Sequence, residues 1–270
     1  MSLRGQGVWI LGAGFLGSAL AAACRAAGAD VLTIDVAVPA DLRADAADIK
    51  ALAAGVGRVV PRVAFCCLST RGGSSEEYRH VYEDSLRALL SAAPAVRPIF
   101  CSSVSLYPDL AGGVVDEATP VRLETEQQAC LHRAEQLALL AGGAVARLAP
   151  LYGPTRCELL RRHLAHEPRL PGTAERWLNY LHVEDAVQAL MQLALDDARG
   201  VFNLCSESFR LGEAYALMQE CTGIPAAESC AAPTKRGSAD RRVVSRRYSM
   251  PHPQCFRDFV LRELHAPTLL

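Results

Sequence analysis

Ten residues from Val8 to Gly17, Val-Trp-Ile-Leu-Gly-Ala-Gly-Phe-Leu-Gly, constrain the fold of this chain more than any other stretch. Val8-Trp9-Ile10-Leu11 reads as a buried strand, and the Ala-rich run Ser18 to Ala27 reads as a helix. Between them Gly12, Gly14 and Gly17 stand at G-x-G-x-x-G spacing, with Phe15 and Leu16 leading into the helix. Each glycine has a distinct reason in such a turn. The first permits the sharp bend, the second lets backbone approach a pyrophosphate, and the third lets the helix pack closely on the strand. The helix N-terminus then offers N–H groups and a positive dipole end to the phosphates. A second apolar strand, Val31-Leu32-Thr33-Ile34, ends in Asp35, 18 residues beyond Gly17. That is close to the ~20 residues expected for the acid that holds an adenosine ribose. Strand, glycine turn, helix, strand and acid together predict a dinucleotide-binding unit. The bland alternative is a structural glycine turn in another α/β fold.

The rest of the composition narrows the function by exclusion. The 28 basic and 29 acidic residues nearly cancel, so nothing calls for nucleic acid or an anionic membrane surface. No apolar run approaches the ~20 residues that span a bilayer. The first strand follows Met1 so closely that no room for a signal peptide is expected, which points to the cytoplasm. With 270 residues, half of them hydrophobic, one large α/β domain or such a domain with a small appended lobe is expected. The ten cysteines include the adjacent Cys66 and Cys67 but no C-x-x-C pair, and they read as buried thiols rather than a metal site or a disulfide framework.

Pro39 argues against a helix just after Asp35, so the usual crossover between the second and third strands is expected to be reduced or missing. Asp45 to Ala54 is compatible with a helix, with Asp45 as its N-cap. Arg62 to Leu68 reads as a buried parallel strand. The loop that follows, beginning Ser69-Thr70, falls where open parallel sheets bind ligands, beyond the carboxyl ends of the strands. A helix from Glu76 to Ala93, a strand from Pro98 into the serine-rich Ser102-Ser103-Val104-Ser105, a helix from Leu123 to Ala141 and a strand at Ala144 to Leu148 continue the alternation. After residue 150 it gives way to a basic helix (Arg156 to His166), helices at Ala186–Leu195 and Leu211–Cys221, and a strand at Gly200–Cys205. The basic cluster from Arg241 to Arg247 reads as a solvated or phosphate-facing surface.

In this order the motifs resemble the extended short-chain dehydrogenase/reductase family, of the nucleotide-sugar epimerase/dehydratase type. They are Gly12-x-Gly14-x-x-Gly17, Asp35, Asp41-Leu42, Ser102 to Tyr107, Arg147 to Pro154, Asn179 to Asp185, and Phe202-Asn203. Within the family the chain looks most like the atypical bacterial members. The resemblance implies a Rossmann doubly wound parallel sheet with a small C-terminal substrate lobe. Residues 1–150 would form the dinucleotide-binding core, and 151–270 would complete the sheet and form the lobe. In the family Asp35 holds the adenosine ribose, Asp41 and Leu42 flank the adenine, and Leu68, Ser69, Thr70 and Ser102 line the cofactor. An acid at Asp35 repels a 2′-phosphate, so NAD is expected over NADP. Ser103 matches the active-site serine, and Tyr107 lies close to it. Gln127, Pro150, Arg176 and Asn179 fall at substrate-facing positions. The resemblance also implies a homodimer through the helices at 76–93 and 123–141.

One departure stands out. The family's catalytic Tyr-x-x-x-Lys pair, anchored on the family glutamate at Glu135, falls on Gln127 and Leu131. Neither residue titrates near neutrality. No Tyr or Lys lies between Leu123 and Ala141, so a register shift does not restore the pair. Substitute acids in the sequence neighbourhood are Tyr107, Glu124, Glu126, His132 and Tyr180. Each has a plain reading: the tyrosines as packing residues, the glutamates as first-turn acids, His132 as an exposed helix residue. The expected function is an NAD(P)-dependent oxidoreductase, epimerase or dehydratase acting on a small polar metabolite, a sugar derivative being one option, with a non-standard acid/base. The alternative is a catalytically silent NAD(P)-binding redox sensor or partner-binding protein.

Overall fold

A computed structural model of the chain describes residues 2–70, 72–228 and 239–265. In chain order the first elements are β1 (Gly7–Leu11), α1 (Phe15–Ala26), β2 (Asp30–Asp35), β3 (Leu42–Arg43), α2 (Ile49–Val56), β4 (Val63–Cys66), α3 (Ser75–Tyr78), α4 (Ser85–Ala92) and β5 (Arg97–Ser103). There follow β6 (Val114–Val115), α5 (Glu126–Leu140), β7 (Ala144–Leu148), β8 (Leu151–Tyr152), α6 (Glu158–Leu164), β9 (Trp177–His182) and α7 (Val183–Leu195). The last are β10 (Gly200–Leu204), β11 (Glu207–Arg210), α8 (Leu211–Thr222), β12 (Arg242–Val243) and α9 (Phe256–His265).

The contacts divide the chain into two units. The first comprises Met1–Leu106, Arg122–Arg147 and Ala186–Phe202; the second comprises Tyr107–Val121, Leu148–Asp185 and Asn203–Leu270. The units alternate along the chain: most of α7 and of β10 belong to the first unit, while 107–121 belongs to the second.

The first unit is built on a seven-stranded sheet in the order β10-β7-β5-β4-β1-β2-β3, with β1–β2, β1–β4, β2–β3 and β4–β5 parallel. This is the expected Rossmann arrangement. Val8 to Leu11 and Val63 to Cys66 are buried, as central parallel strands covered on both faces must be. The chain leaves β1 toward β2 on one side, and β4 lies on the other, so the topological switch point falls above β1. No helix separates β2 from the two-residue β3, in keeping with Pro39. The N-cap of α2 is Asp48, not Asp45: the Asp48 carboxylate accepts the Lys50 and Ala51 N–H groups, whereas Asp45 accepts Ala47 N–H in the preceding turn. Between α3 and α4, Arg79–Asp84 adopts π-helical geometry, the kind of bulge that is frequent near functional sites. Thr125 and Gln128 form a capping box that starts α5.

In the second unit β11-β9-β8 form one small sheet and β12 pairs with β6. Tyr152, Leu159, Leu178, Phe209, Tyr215, Phe256 and Phe259 form its buried core together with their neighbours. In the basic cluster Arg242, Arg246 and Arg247 are exposed, as expected of a solvated surface, while Arg241 is not. Arg241 is buried and donates to Pro108 O, Arg242 lies over the Trp177 ring, and Arg246 pairs with Asp116 at 2.5 Å.

Among the described cysteines, Cys24, Cys66, Cys101 and Cys130 are buried, and burial pushes the Cys24 thiol up to about 12. Cys67, Cys157, Cys205 and Cys221 are half-buried and Cys255 is exposed, so only part of the set follows the buried-thiol expectation. Cys230 lies outside the described residues. Among the described residues no helix is long and apolar enough to cross a membrane.

Candidate active site

The glycine turn is a cradle whose shape follows from three missing side chains. Gly12 has φ +90°, and a Cβ there would lie 2.8 Å from the Cys67 carbonyl carbon and oxygen. A Cβ at Gly17 would lie 1.8 Å from Gly12 O. These two glycines let β1, β4 and α1 close on one another. Gly14 differs: its Cβ would meet nothing within 4 Å. The space in front of Gly14 is therefore open to a ligand, and it lies at the start of α1. No side chain caps that helix and no acid sits in its first turn, so its positive end is not offset locally. Phe15 is half-buried and Leu16 is buried in the first turn.

Asp35 stands at the carboxyl end of β2, beside the turn. Its Oδ2 accepts Ala13 N–H at 2.8 Å, and its Oδ1 accepts Ala37 N–H at 2.8 Å. A half-buried carboxylate fixed in this way retains lone pairs for further donors. These residues fit a dinucleotide: an open approach over Gly14 for the phosphates and an acceptor at the end of the second strand for a ribose.

Asp41 does not join them. Its Oδ2 accepts Thr33 N–H at 2.9 Å and the Thr33 hydroxyl at 2.8 Å, and it pairs with Arg25 at 2.6 Å. Thr33 lies two residues before the carboxyl end of β2, so Asp41 braces the entry to β3 instead of flanking a ligand beyond the strand ends. Burial alone would raise its carboxyl; the Thr33 groups, Arg25 and Arg58 outweigh that and hold it below the usual carboxylate range. Leu42 is half-buried within β3 and pairs with Ile34. The acid beyond the carboxyl end of β3 is Asp45, whose Oδ2 lies 2.8 Å from His80 Nε2. No signal in the sequence marks the ends of a two-residue strand, and that hides the position of Asp45.

Leu68, Ser69 and Thr70 follow β4 beside the glycine turn. Leu68 and Thr70 are half-buried, Ser69 is exposed, and Thr70 N–H donates to the Tyr82 hydroxyl at 3.4 Å. Tyr82 belongs to the π-helical segment, and burial raises its hydroxyl above the ordinary tyrosine range.

The end of β5 separates two serines that stand together in the sequence motif. Ser102 is buried and donates to Glu135 Oε1 at 2.6 Å, which corrects its assignment to the cofactor site. Ser103 is half-buried at the carboxyl end of the strand, and its Oγ accepts Ser105 N–H at 3.1 Å. A catalytic role for Tyr107 is corrected likewise. Its ring is 2% exposed, and its hydroxyl donates to Asn203 Oδ1 at 2.8 Å.

On α5, Gln127 is half-buried and Leu131 is 6% exposed. Glu135 is fully buried and accepts Arg147 Nε at 2.9 Å and Arg147 Nη2 at 2.7 Å, a bidentate pair. His132 is more than an exposed helix residue: its Nδ1 lies 3.3 Å from Glu135 Oε2, and its side chain is 26% exposed.

The second unit carries the remaining candidates. Pro150 is exposed, and its carbonyl accepts Leu181 N–H at 3.0 Å. Arg176 is buried, and that burial lowers its guanidinium from the ordinary range. Asn179 is committed to the fold. Its Oδ1 accepts Val243 N–H and the Ser208 hydroxyl, and its Nδ2 donates to Arg241 O, tying β9 to its neighbours. Its assignment to substrate is corrected on that ground. Tyr180, half-buried in the aromatic core, has its hydroxyl raised by burial.

Residues 8–205 match the sequence model of the NAD dependent epimerase/dehydratase family. Several solved structures share the fold. MoeE5 in complex with UDP-glucose and NAD has a TM-score of 0.80 at 22% identity, covering 96% of this chain and 97% of that one. UDP-glucose 4-epimerase from Thermus thermophilus in complex with NAD has a TM-score of 0.76 at 19% identity, covering 97% and 100%. UDP-glucuronic acid 4-epimerase from Bacillus cereus in complex with NAD has a TM-score of 0.77 at 16% identity, covering 96% and 98%. No curated protein matches the chain.

Proposed function

This chain belongs to the NAD dependent epimerase/dehydratase family, and from that premise we propose that it binds NAD on the Gly12–Gly17 turn and acts on a hydroxyl of a sugar nucleotide. The observation that carries this reading is the contrast among the three glycines: Gly12 and Gly17 leave no room for a Cβ, while Gly14 faces open space. When bound, NAD supplies a hydride acceptor at the nicotinamide. Asp35 accepts the adenosine ribose hydroxyls, and Asp45 with His80 borders the adenine end. Ser103, at the strand end, hydrogen-bonds the reacting oxygen. The sugar-nucleotide class rests on family membership and on the solved relatives' ligands.

Gln127 and Leu131, where the family's pair would stand, favour a second reading: a dinucleotide-binding protein without turnover, acting as a redox sensor or a partner-binding module. Titration with NADH and with NADPH, followed by nicotinamide fluorescence, tests the common premise. Tighter binding of NADH is expected, and no binding of either nucleotide overturns both readings. Incubation with UDP-glucose, UDP-galactose and UDP-glucuronic acid, with products separated by chromatography, then divides them. Conversion supports the enzyme; tight NADH binding with no conversion of any sugar nucleotide supports the second reading.

A further inference from the structure

The proton that accompanies hydride transfer needs a carrier, and neither Gln127 nor Leu131 provides one. The other candidate acids are accounted for, Tyr180 by its packing in the aromatic core of the second unit. Glu126 pairs with Arg133 and Glu124 with Arg122, both on the exposed surface. Tyr107 is buried against Asn203.

Gln128, His132 and Glu135 follow one another on α5 at four- and three-residue spacing, so they share one helix face. Gln128 Nε2 donates to Ser105 O at 3.1 Å, and Glu135 Oε1 accepts the Ser102 hydroxyl at 2.6 Å. The two bonds fasten that face to both sides of the Ser103–Val104 segment. His132 lies between them on that face, on the side of α5 that these two bonds hold against the Ser102–Ser105 segment.

Glu135 also sets the orientation of the imidazole. Both Glu135 oxygens accept from the Arg147 guanidinium. The 3.3 Å contact with Oε2 suits a donating His132 Nδ1–H, the tautomer whose Nε2 carries the lone pair. An imidazole held by a buried carboxylate, on the helix face that is bonded to the strand-end serine segment, suits a general base and its orienting group.

Resting on the reading of the preceding section, we propose that His132 is the acid/base of the site, oriented by Glu135, in place of the family's tyrosine. In the oxidative direction its Nε2 takes the substrate hydroxyl proton. The O–H bond breaks and an N–H bond forms, and the hydride given up by the carbon would be accepted by NAD when it is bound. In the reductive direction the same Nε2–H returns the proton to the oxygen. Ser103 holds that oxygen, and Glu135 and Arg147 are positioning residues.

The test begins with ¹⁵N-histidine NMR on the whole protein, the His132 signals being assigned by their loss in His132→Gln. The expected result is the Nδ1–H tautomer, with signals that move when NADH is added. An Nε2–H tautomer, or signals unmoved by saturating NADH, overturns the proposal. Where a UDP-sugar is converted, His132→Gln is expected to lower kcat about 10²- to 10⁴-fold while NADH affinity stays within about twofold. Added imidazole is expected to restore part of the rate to His132→Gly. Unchanged kcat in His132→Gln overturns the proposal. If no sugar nucleotide is converted, the substrate reading falls, while the tautomer and the NADH response still decide the place of His132.

Discussion

The Asp35 carboxylate accepts the N–H of Ala13 at 2.8 Å, so the acid that ends β2 is bonded to the middle of the glycine turn that follows β1. The same carboxylate fixes its own exit turn through Ala37. One side chain therefore fixes the end of β2 against the glycine turn.

Asp35→Ala is expected to remove the ribose acceptor and to loosen the turn together. NADH affinity should fall about 10- to 100-fold, equivalent to ~1.4–2.8 kcal/mol. Fluorescence titration measures it, and an unchanged Kd would show that the ribose lies elsewhere.

Gly14 and Gly17 should separate binding from folding. Gly14→Val places its side chain in open space, at the N-cap of α1. A poorer cap costs about 1 kcal/mol, so the melting temperature should fall by only a few degrees while NADH binding is lost. Gly17→Ala forces a Cβ to 1.8 Å from a backbone oxygen. Either α1 or the turn must move, and a loss of about 1–3 kcal/mol is expected from overpacking alone. Thermal denaturation beside NADH titration distinguishes them. Equal destabilisation by the two variants would contradict this division of roles.

The residues legible in the sequence are those whose constraint is local. Gly12, Gly14, Gly17 and Asp35 act through backbone sterics and a fixed spacing, so the pattern of residues carries the geometry with it. Asp41 misleads because the ligand-facing end of a strand depends on where β3 stops. A two-residue strand has too little periodicity to show that. Ser102 and Ser103 are adjacent, and only the packing of Glu135 against one of them shows which hydroxyl turns inward. Tyr107 and Asn179 take their roles from Asn203 and Val243, 96 and 64 positions away in the chain. Such pairings are set by tertiary packing and leave no local mark. The short strands β6, β11 and β12 and the terminal helix α9 escape a sequence reading for the same reason.

The bidentate pair of Glu135 with Arg147 should dominate the stability of its surroundings. Glu135 is fully buried, and Glu135→Ala would leave the buried Arg147 guanidinium without its carboxylate. A loss of about 3–5 kcal/mol is expected in urea denaturation. The exposed carboxylate of Glu158, which pairs with Arg161 and Arg162, is the comparison. Glu158→Ala should cost no more than about 1 kcal/mol, because solvent screens the surface pair. A loss at Glu135 no larger than that at Glu158 would mean the buried pair contributes little.

Two buried imidazoles in the second unit should make stability fall in mild acid. Burial, with His166 nearby, lowers the affinity of His163 for a proton below its ordinary value of 6.5. Burial lowers that of His182 as well, against the opposing pull of Glu184 and Asp185. His163 Nε2 is bonded to Thr222 Oγ1, and the buried His182 ring packs edge-on against Tyr152. Unfolding returns both rings to water. Below about pH 6.5 the unfolded chain therefore binds more protons than the folded one, until the pH reaches the lowered folded values. Stability is full above about pH 6.5 and is lost as the pH falls through that window. The melting temperature should be lower at about pH 5.5 than at about pH 7.5, a range that stays above the ordinary carboxylate titrations. In His163→Gln combined with His182→Gln, which carries no ionisable group at either position, the difference between the two pH values should shrink. A double variant that keeps the full difference would assign the acid sensitivity to other groups.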